Sequence, residues 1–306
     1  MKRREFVRKS IGAGVTAGAL AGFGSLGRLI AGPLPQESEW DVVAVRGGEP
    51  GIMFDRGIQS MGGMRAFVKR GQTVVIKPNI GWDVIPEKAA NTNPNLVGHI
   101  VKRCLEAGAG EVYVLDHTCD DWGKCYRSSG IEKAARDAGA KVVPAHSESY
   151  FQTVTIPGGK SLKSTKEHET ILKADVFINV PALKHHSSTH MSCCMKNLMG
   201  NVWDRGYWHR NNLHQCIADF ATYRKPHLNV VDAYNVLKRN GPRGVSLQDV
   251  VNMKAMVLSA NIVAADAAAA RFFGSEPSDI LYIRHAHEMG LGNMNLEELN
   301  INRITV

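Results

Sequence analysis

Short apolar runs alternate along the chain with longer stretches in which apolar residues recur every three or four positions. The runs read as buried strands at residues 42–45, 73–76, 111–115, 141–143, 176–180, 228–231 and 253–258. The periodic stretches predict helices over 58–69, 94–108, 131–138, 213–223, 262–273 and 280–290. Asn93 before Pro94 is a helix cap followed by the residue best suited to the first helical position. Residues 151–156 alternate and run into Pro157-Gly158-Gly159, which predicts a hairpin or an edge strand, and the last residues predict another edge strand. Strands alternating with helices give an α/β chain: three layers, a mainly parallel sheet and helices on both faces. The body, 37–306, is expected to be a single domain, either undivided or with two lobes meeting near residue 180.

Composition changes this picture at one end. Of the formal charge of +8, +5 comes from residues 1–32, and the remainder of the chain is nearly balanced. That distribution leaves no basic footprint for nucleic acid. The opening MKRREFVRKS, with Arg3-Arg4, Phe6 and Lys9 ahead of a glycine-rich, weakly apolar stretch, resembles a twin-arginine export signal. Residues 1–36 are therefore expected to be a signal or an N-terminal anchor. The protein would be periplasmic or extracytoplasmic, with membrane contact only if that segment is retained. The stretch is too short and too rich in Gly and Ala to read as a spanning helix.

The chemistry concentrates in ADVFINVPALKHHSSTHMSCCMKNLMGN, residues 174–201. An apolar run that Pro181 stops is followed at once by Lys184, His185, His186, His190, Cys193, Cys194, Lys196 and Asn197. Interleaved Met191, Met195, Leu198 and Met199 imply partial burial. Lys77, Asp116, Lys184 and Asp232 each follow an apolar run, and in an open parallel sheet the carboxyl ends of strands share one edge where ligands bind. Lys77, Lys184 and Lys196 would clamp an anion, with Asn79 and Asn197 as hydrogen-bond donors. Crowded, buried ammonium groups lower one another's pKa, which suits one of them to act as a base or nucleophile. If the chain is helical from Ser187 onward, His186, His190, Cys193, Cys194 and Asn197 share a face. His186, His190 and Cys193 then become candidate ligands for a transition metal, with His214 and Cys216 able to complete the site. Asp116 and Asp232 are candidates to orient a histidine or a cation, although Asp at a strand end commonly caps a turn. Trp203, Arg205, Tyr207, Trp208, His209 and Arg210 read as an aromatic-rich flap.

Other classes lose their footing. No GxGxxG follows a strand, and neither a Walker loop nor a GxSxG elbow is present. The six cysteines include no CxxC pair, so no iron–sulfur cluster is expected in this chain. In an oxidising compartment Cys119 and Cys125 are near enough in sequence to pair.

VVIKPNIGWD, NTNPNLV, YVLDH, RSSGI, the 174–201 block, NVVDA and GPRG together resemble the bacterial and archaeal domain of unknown function three-six-two, whose members often stand beside ferredoxin-type iron–sulfur modules. The resemblance runs from about Trp40 to about Gly290. It marks Lys77, Pro78 and Asn79 in one block, and Pro181, Lys184, His186, Thr189, Lys196, Asn197 and Gly200 in the other. The chain departs in having Ala182 where lysine is common and His185 where threonine is usual. The resemblance implies an iron–sulfur or redox partner protein. A fainter likeness of layout to the nickel-pincer lactate racemases would cast Lys184 or Lys196 as a cofactor tether and His186 or His214 as acid/base. The resulting expectation is an exported enzyme for a small anionic substrate or cofactor. Its acid–base residues would be Lys184, His186, Lys196 and His214, and its binding residues Lys77, Asn79, Asp116, Thr189, Asn197 and Asp232. The competing expectation is a non-catalytic accessory protein that carries a metal or cofactor to a redox partner.

Overall fold

The computed structural model describes residues 39–306, so the expected signal segment lies outside the described residues. Its frame is a ten-stranded sheet. Eight strands run in the order β12 (Ile301–Thr305), β1 (Val42–Arg46), β11 (Val250–Ser259), β10 (Leu228–Leu237), β7 (Val176–Val180), β2 (Thr73–Pro78), β3 (Glu111–Val114) and β4 (Lys141–Val142). The pairings are parallel except where β11 meets β1 and β10 and where β8 (Ala182–His186) meets β9 (His190–Ser192). A separate hairpin joins β5 (Phe151–Thr155) to β6 (Ser164–His168).

Strand residues alternate between two cores, which is the signature of a sheet covered on both faces. Val75, Val231 and Val257 face one apolar cluster, with α9 (Leu213–Tyr223) and α10 (Ile262–Phe273). Val74, Ile76, Val230 and Leu258 face the other, with α1 (Pro50–Ser60), α3 (Pro94–Ala107) and α5 (Ile131–Asp137). The fold is thus the three-layer α/β arrangement that the alternating pattern predicts. The smaller helices are α2 (Met64–Phe67), α4 (Trp122–Ser128), α6 (Glu169–Lys173), α7 (Cys194–Asn197), α8 (Arg205–Arg210) and α11 (Leu281–Glu288). No helix among the described residues is long and apolar enough to cross a membrane.

Two elements differ from the sequence-based expectation. The helix expected over 58–69 instead starts at Pro50 and buries Met53, Phe54 and Ile58. Gly62 and Gly63, both at positive φ, break it before α2. Pro181 ends β7 at Val180, as expected. It has no N–H to give a ladder, yet its carbonyl accepts from Asp232 N at 2.9 Å, and the chain resumes as β8. The ten residues of β10 are enough to pair first with β7 and then with β8. The residues after Ser187, expected to be helical, form the return strand of a hairpin, and only Cys194–Asn197 is α-helix.

The capping expectation holds. Asn93 Oδ1 accepts from Asn95 N at 2.9 Å and Leu96 N at 3.4 Å, and Gly108 closes α3 at φ 107°. Asn93→Ala is expected to lower the free energy of unfolding by about 1 kcal/mol, as read by urea denaturation. Asn95→Ala, at an exposed position in the first turn, should change it much less.

Candidate functional site

A cleft of about 440 Å³ opens where the carboxyl ends of β2 and β3 meet β8 and α7, and Lys77, Asp116, Lys184, His186, Lys196 and Arg205 line it. Lys77 is carried out of the sheet at the end of β2 and is almost wholly buried. Its Nζ donates to Asn197 O at 2.6 Å and to Asn197 Oδ1 at 2.8 Å. The same nitrogen meets Asp116 Oδ1 at 2.9 Å, an ion contact that misses hydrogen-bond geometry. The other Asp116 oxygen accepts from Ile80 N at 2.6 Å. Burial pushes the Lys77 pKa down, and the Asp116 carboxylate partly restores it. Gly200 closes over this pair. A Cβ at that position would stand 1.8 Å from Asp116 Oδ1 and 2.6 Å from Lys77 Nζ, so only glycine fits.

Asn197 is the hub of an amide ladder. Lys184 Nζ donates to Asn79 Oδ1 at 2.9 Å, and Asn79 Nδ2 donates to Asn197 Oδ1 at 3.0 Å. Asn197 Nδ2 donates to Asn179 Oδ1 at 2.9 Å, and Asn179 Nδ2 to Asn229 Oδ1 at 3.0 Å. Asn229 Nδ2 ends the series on Ser259 O at 3.3 Å. The ladder ties the cleft to β7, β10 and β11 through four side-chain amides, three of them buried and two of those, Asn179 and Asn229, within the sheet.

The other two cleft lysines are held differently. Lys184 also donates to the Ala90 carbonyl, and burial lowers its pKa to about 7. Lys196 Nζ has the Met199 sulfur at 3.1 Å, and burial with the charges of Arg205 and Lys77 lowers its pKa to about 8. His186 Nδ1 accepts from Ser188 N at 3.2 Å, which leaves the ring proton on Nε2. Burial, followed by Lys196 and Lys184, drives the His186 pKa far down, so the ring is neutral at physiological pH. Arg205 fastens the cleft wall through the His117 and Thr118 carbonyls.

Of the residues singled out in the sequence, Lys77, Asn79, Asp116, Lys184, His186, Lys196 and Asn197 meet in this cleft. Asp232 does not. It is buried, accepts from Asn93 N at 2.7 Å and Tyr234 N at 3.1 Å, and joins β10 to the start of α3. Thr189 sits in the β8–β9 turn and donates to Met191 O at 3.0 Å. His214 lies on α9 outside the lining, with its pKa lowered by burial and then by His285 and Lys196.

The metal set drawn from one helix face is not assembled, because a hairpin replaces that helix. His190 is exposed and bonds Ser275 Oγ at 2.9 Å, whereas Cys193 is fully buried. Among the described residues, the trio of potential ligand atoms lying within 4.8 Å of one another is Cys193, Cys194 and Asp266. Both Asp266 oxygens accept backbone N–H groups there, from Cys194 at 2.6 Å and Met195 at 2.9 Å. Cys119 and Cys125 are free thiols.

Arg205, His209, Cys119 and Trp82 also line the cleft, and the sequence reading had not placed them there. Arg205 and His209 lie in the segment read as a flap. Trp208 of that segment is wholly buried, and Trp203 stacks on His117 at 4.9 Å, so the segment forms a packed wall. The basic residues among its aromatics were the available signal.

Removing one member of a buried ion pair strands the other. Lys77→Met is therefore expected to cost about 3–5 kcal/mol of folding stability. Lys77→Met combined with Asp116→Asn should cost less than the single change, with both measured by chemical denaturation.

Residues 74–271 match the family described as domain of unknown function (DUF362). The thylakoid-associated protein sll1697 of Synechocystis sp. is 26% identical over 199 residues, which cover 60% of this chain and 59% of that protein. The chain thus spans about three-fifths of that relative's length. The lactate racemase apoprotein from Thermoanaerobacterium thermosaccharolyticum superposes on 78% of this chain and 57% of its own, with a TM-score of 0.48 and 13% identity. With well over half of its length matched, from β2 into α10, the chain belongs to the DUF362 family.

Proposed function

We propose that the chain is an enzyme that binds a small anionic substrate or cofactor in this cleft, with lysine and histidine groups supplying its chemistry. The charge balance of the lining carries the reading. Lys77, Lys184, Lys196 and Arg205 stand there against a single carboxylate, Asp116, which is already in contact with Lys77. Positive groups in a partly closed, low-dielectric hollow attract an anion strongly and cost no reorganisation when it arrives. Lys184 titrates near neutral pH and so can exchange a proton with a bound ligand. His186 is a neutral donor through Nε2, suited to hold a developing oxyanion rather than to carry a proton.

The trio Cys193, Cys194 and Asp266 favours a second reading, in which the protein carries a metal for a redox partner. That reading asks the Cys193 thiol to ionise where burial raises its pKa to about 11. Stoichiometric zinc or nickel that survives dialysis and is lost in Cys193→Ser would support it. Export by the twin-arginine route belongs to the same proposal, and the N-terminal sequence of protein recovered from its host tests that part.

Anion binding and stability should respond to pH in opposite senses. The ammonium groups of Lys184 and Lys196 attract the ligand and are lost as pH rises through about 7 and about 8. Both folded values lie below the ordinary 10.5, so the unfolded chain binds more protons above neutrality. Stability of the ligand-free chain should then rise between about pH 7 and about pH 9. Over the same interval, affinity for phosphate or pyruvate, measured calorimetrically, should fall. Lys196→Met should weaken anion binding by about tenfold or more and flatten the rise in stability. Affinity indifferent to both pH and this substitution would remove the basis of the reading.

A further inference from the structure

Lys196 differs from the other cleft lysines in what its nitrogen touches. Lys77 Nζ is occupied by two oxygens of Asn197 and by Asp116, and Lys184 Nζ by Asn79 and the Ala90 carbonyl. Lys196 Nζ meets a thioether, a weak acceptor that does little to hold an ammonium ion. Lys196 is a buried residue of the short helix α7, and it lines the cleft with His186, Arg205 and His209. With a pKa of about 8 the amine is neutral in roughly a tenth of molecules at pH 7, far more than an exposed lysine. A neutral amine among fixed cations is the arrangement that activates lysine as a nucleophile. The neighbouring groups supply what such a nucleophile needs from its surroundings: Arg205 for a carboxylate, and His186 Nε2–H for the oxygen of the attacked carbonyl.

We propose that Lys196 forms a reversible imine with a 2-oxo acid bound in the cleft. This rests on the anion-binding reading above and adds to it a nucleophile and a substrate class. The Nζ–carbon bond forms as the carbonyl π bond opens, giving a carbinolamine. The carbon–oxygen bond then breaks, and the oxygen leaves as water with the two hydrogens of the amine. No atom changes oxidation state overall, so no second reactant is required. Protonated, the imine withdraws electrons from the adjacent carbon, which prepares that carbon for proton exchange or aldol chemistry.

The test uses the full chain with pyruvate or glyoxylate and sodium cyanoborohydride, which reduces an imine to a stable secondary amine. Intact mass should show one added unit per chain, and peptide mapping should place it on Lys196. The yield should rise from about pH 6 to about pH 8 as the amine loses its proton. Excess sulfate should suppress the adduct, and Lys196→Met or Lys196→Arg should lower it at least about tenfold. The mapping on the unsubstituted chain does not depend on how either variant folds. No adduct, or adducts spread over surface lysines or placed on Lys184, would overturn the proposal. If calorimetry still shows pyruvate binding in that case, the imine fails and the anion-binding reading stands; if pyruvate, phosphate and sulfate all fail to bind, both fall together.

Discussion

A lysine with almost no access to water has to be neutralised where it stands, and Lys77 imposes that demand on everything around it. Asp116 brings β3 to β2, Asn197 brings α7 down onto both, and Gly200 lets the backbone of the following turn close without a side chain in the way. The His117 N–H fastens this closure by donating to Gly200 O at 3.0 Å. Three segments far apart in sequence are fixed by one charge. The same closure sets the depth of the cleft and keeps Lys77 from acting as a freely exchanging group, so the two lysines above it are left to meet a ligand.

The step at Pro181 gives the site its second wall. Had the chain not resumed as β8 beyond that break, Lys184 and His186 would lie on an unsupported loop. Because β10 is long enough to take up β8 as a further partner, both side chains project from paired backbone. Groups on regular structure are held more closely than groups on loops, which suits an electrostatic site whose strength depends on distance.

Much of this was legible in the chain. Apolar runs located the central strands, and the rule that ligands gather at carboxyl ends brought Lys77, Asp116 and Lys184 together correctly. Local chemistry also located the cap at Asn93. The failures share a cause. A run such as HHSSTHMSCC has spacings compatible with one helix face, and nothing local reveals that His190–Ser192 folds back on β8, which β10 in turn holds. Tertiary pairing overrode periodicity, and the expected histidine–cysteine face dissolved with the helix. Asp232 follows an apolar run like the others but lies within β10, where it accepts the N–H groups of Asn93 and Tyr234. Arg205 was hidden among aromatics because its shortest contacts are to backbone carbonyls, which no side-chain pattern records.

The amide ladder has a direction. From Lys184 to Ser259 every Nδ2 gives to the next oxygen, so all four amide dipoles point the same way, with their oxygen ends toward the ammonium groups. Such a series polarises cumulatively. Turning one amide over would set hydrogen against hydrogen on one side and lone pair against lone pair on the other, so no rung can rotate alone. Shape is therefore not enough at these positions: aspartate matches asparagine in outline but has no hydrogens to pass along, and leucine would cut the series in two. The interior of the sheet thereby acts as a fixed, oriented electrical element, set when the chain folds and facing whatever enters the cleft.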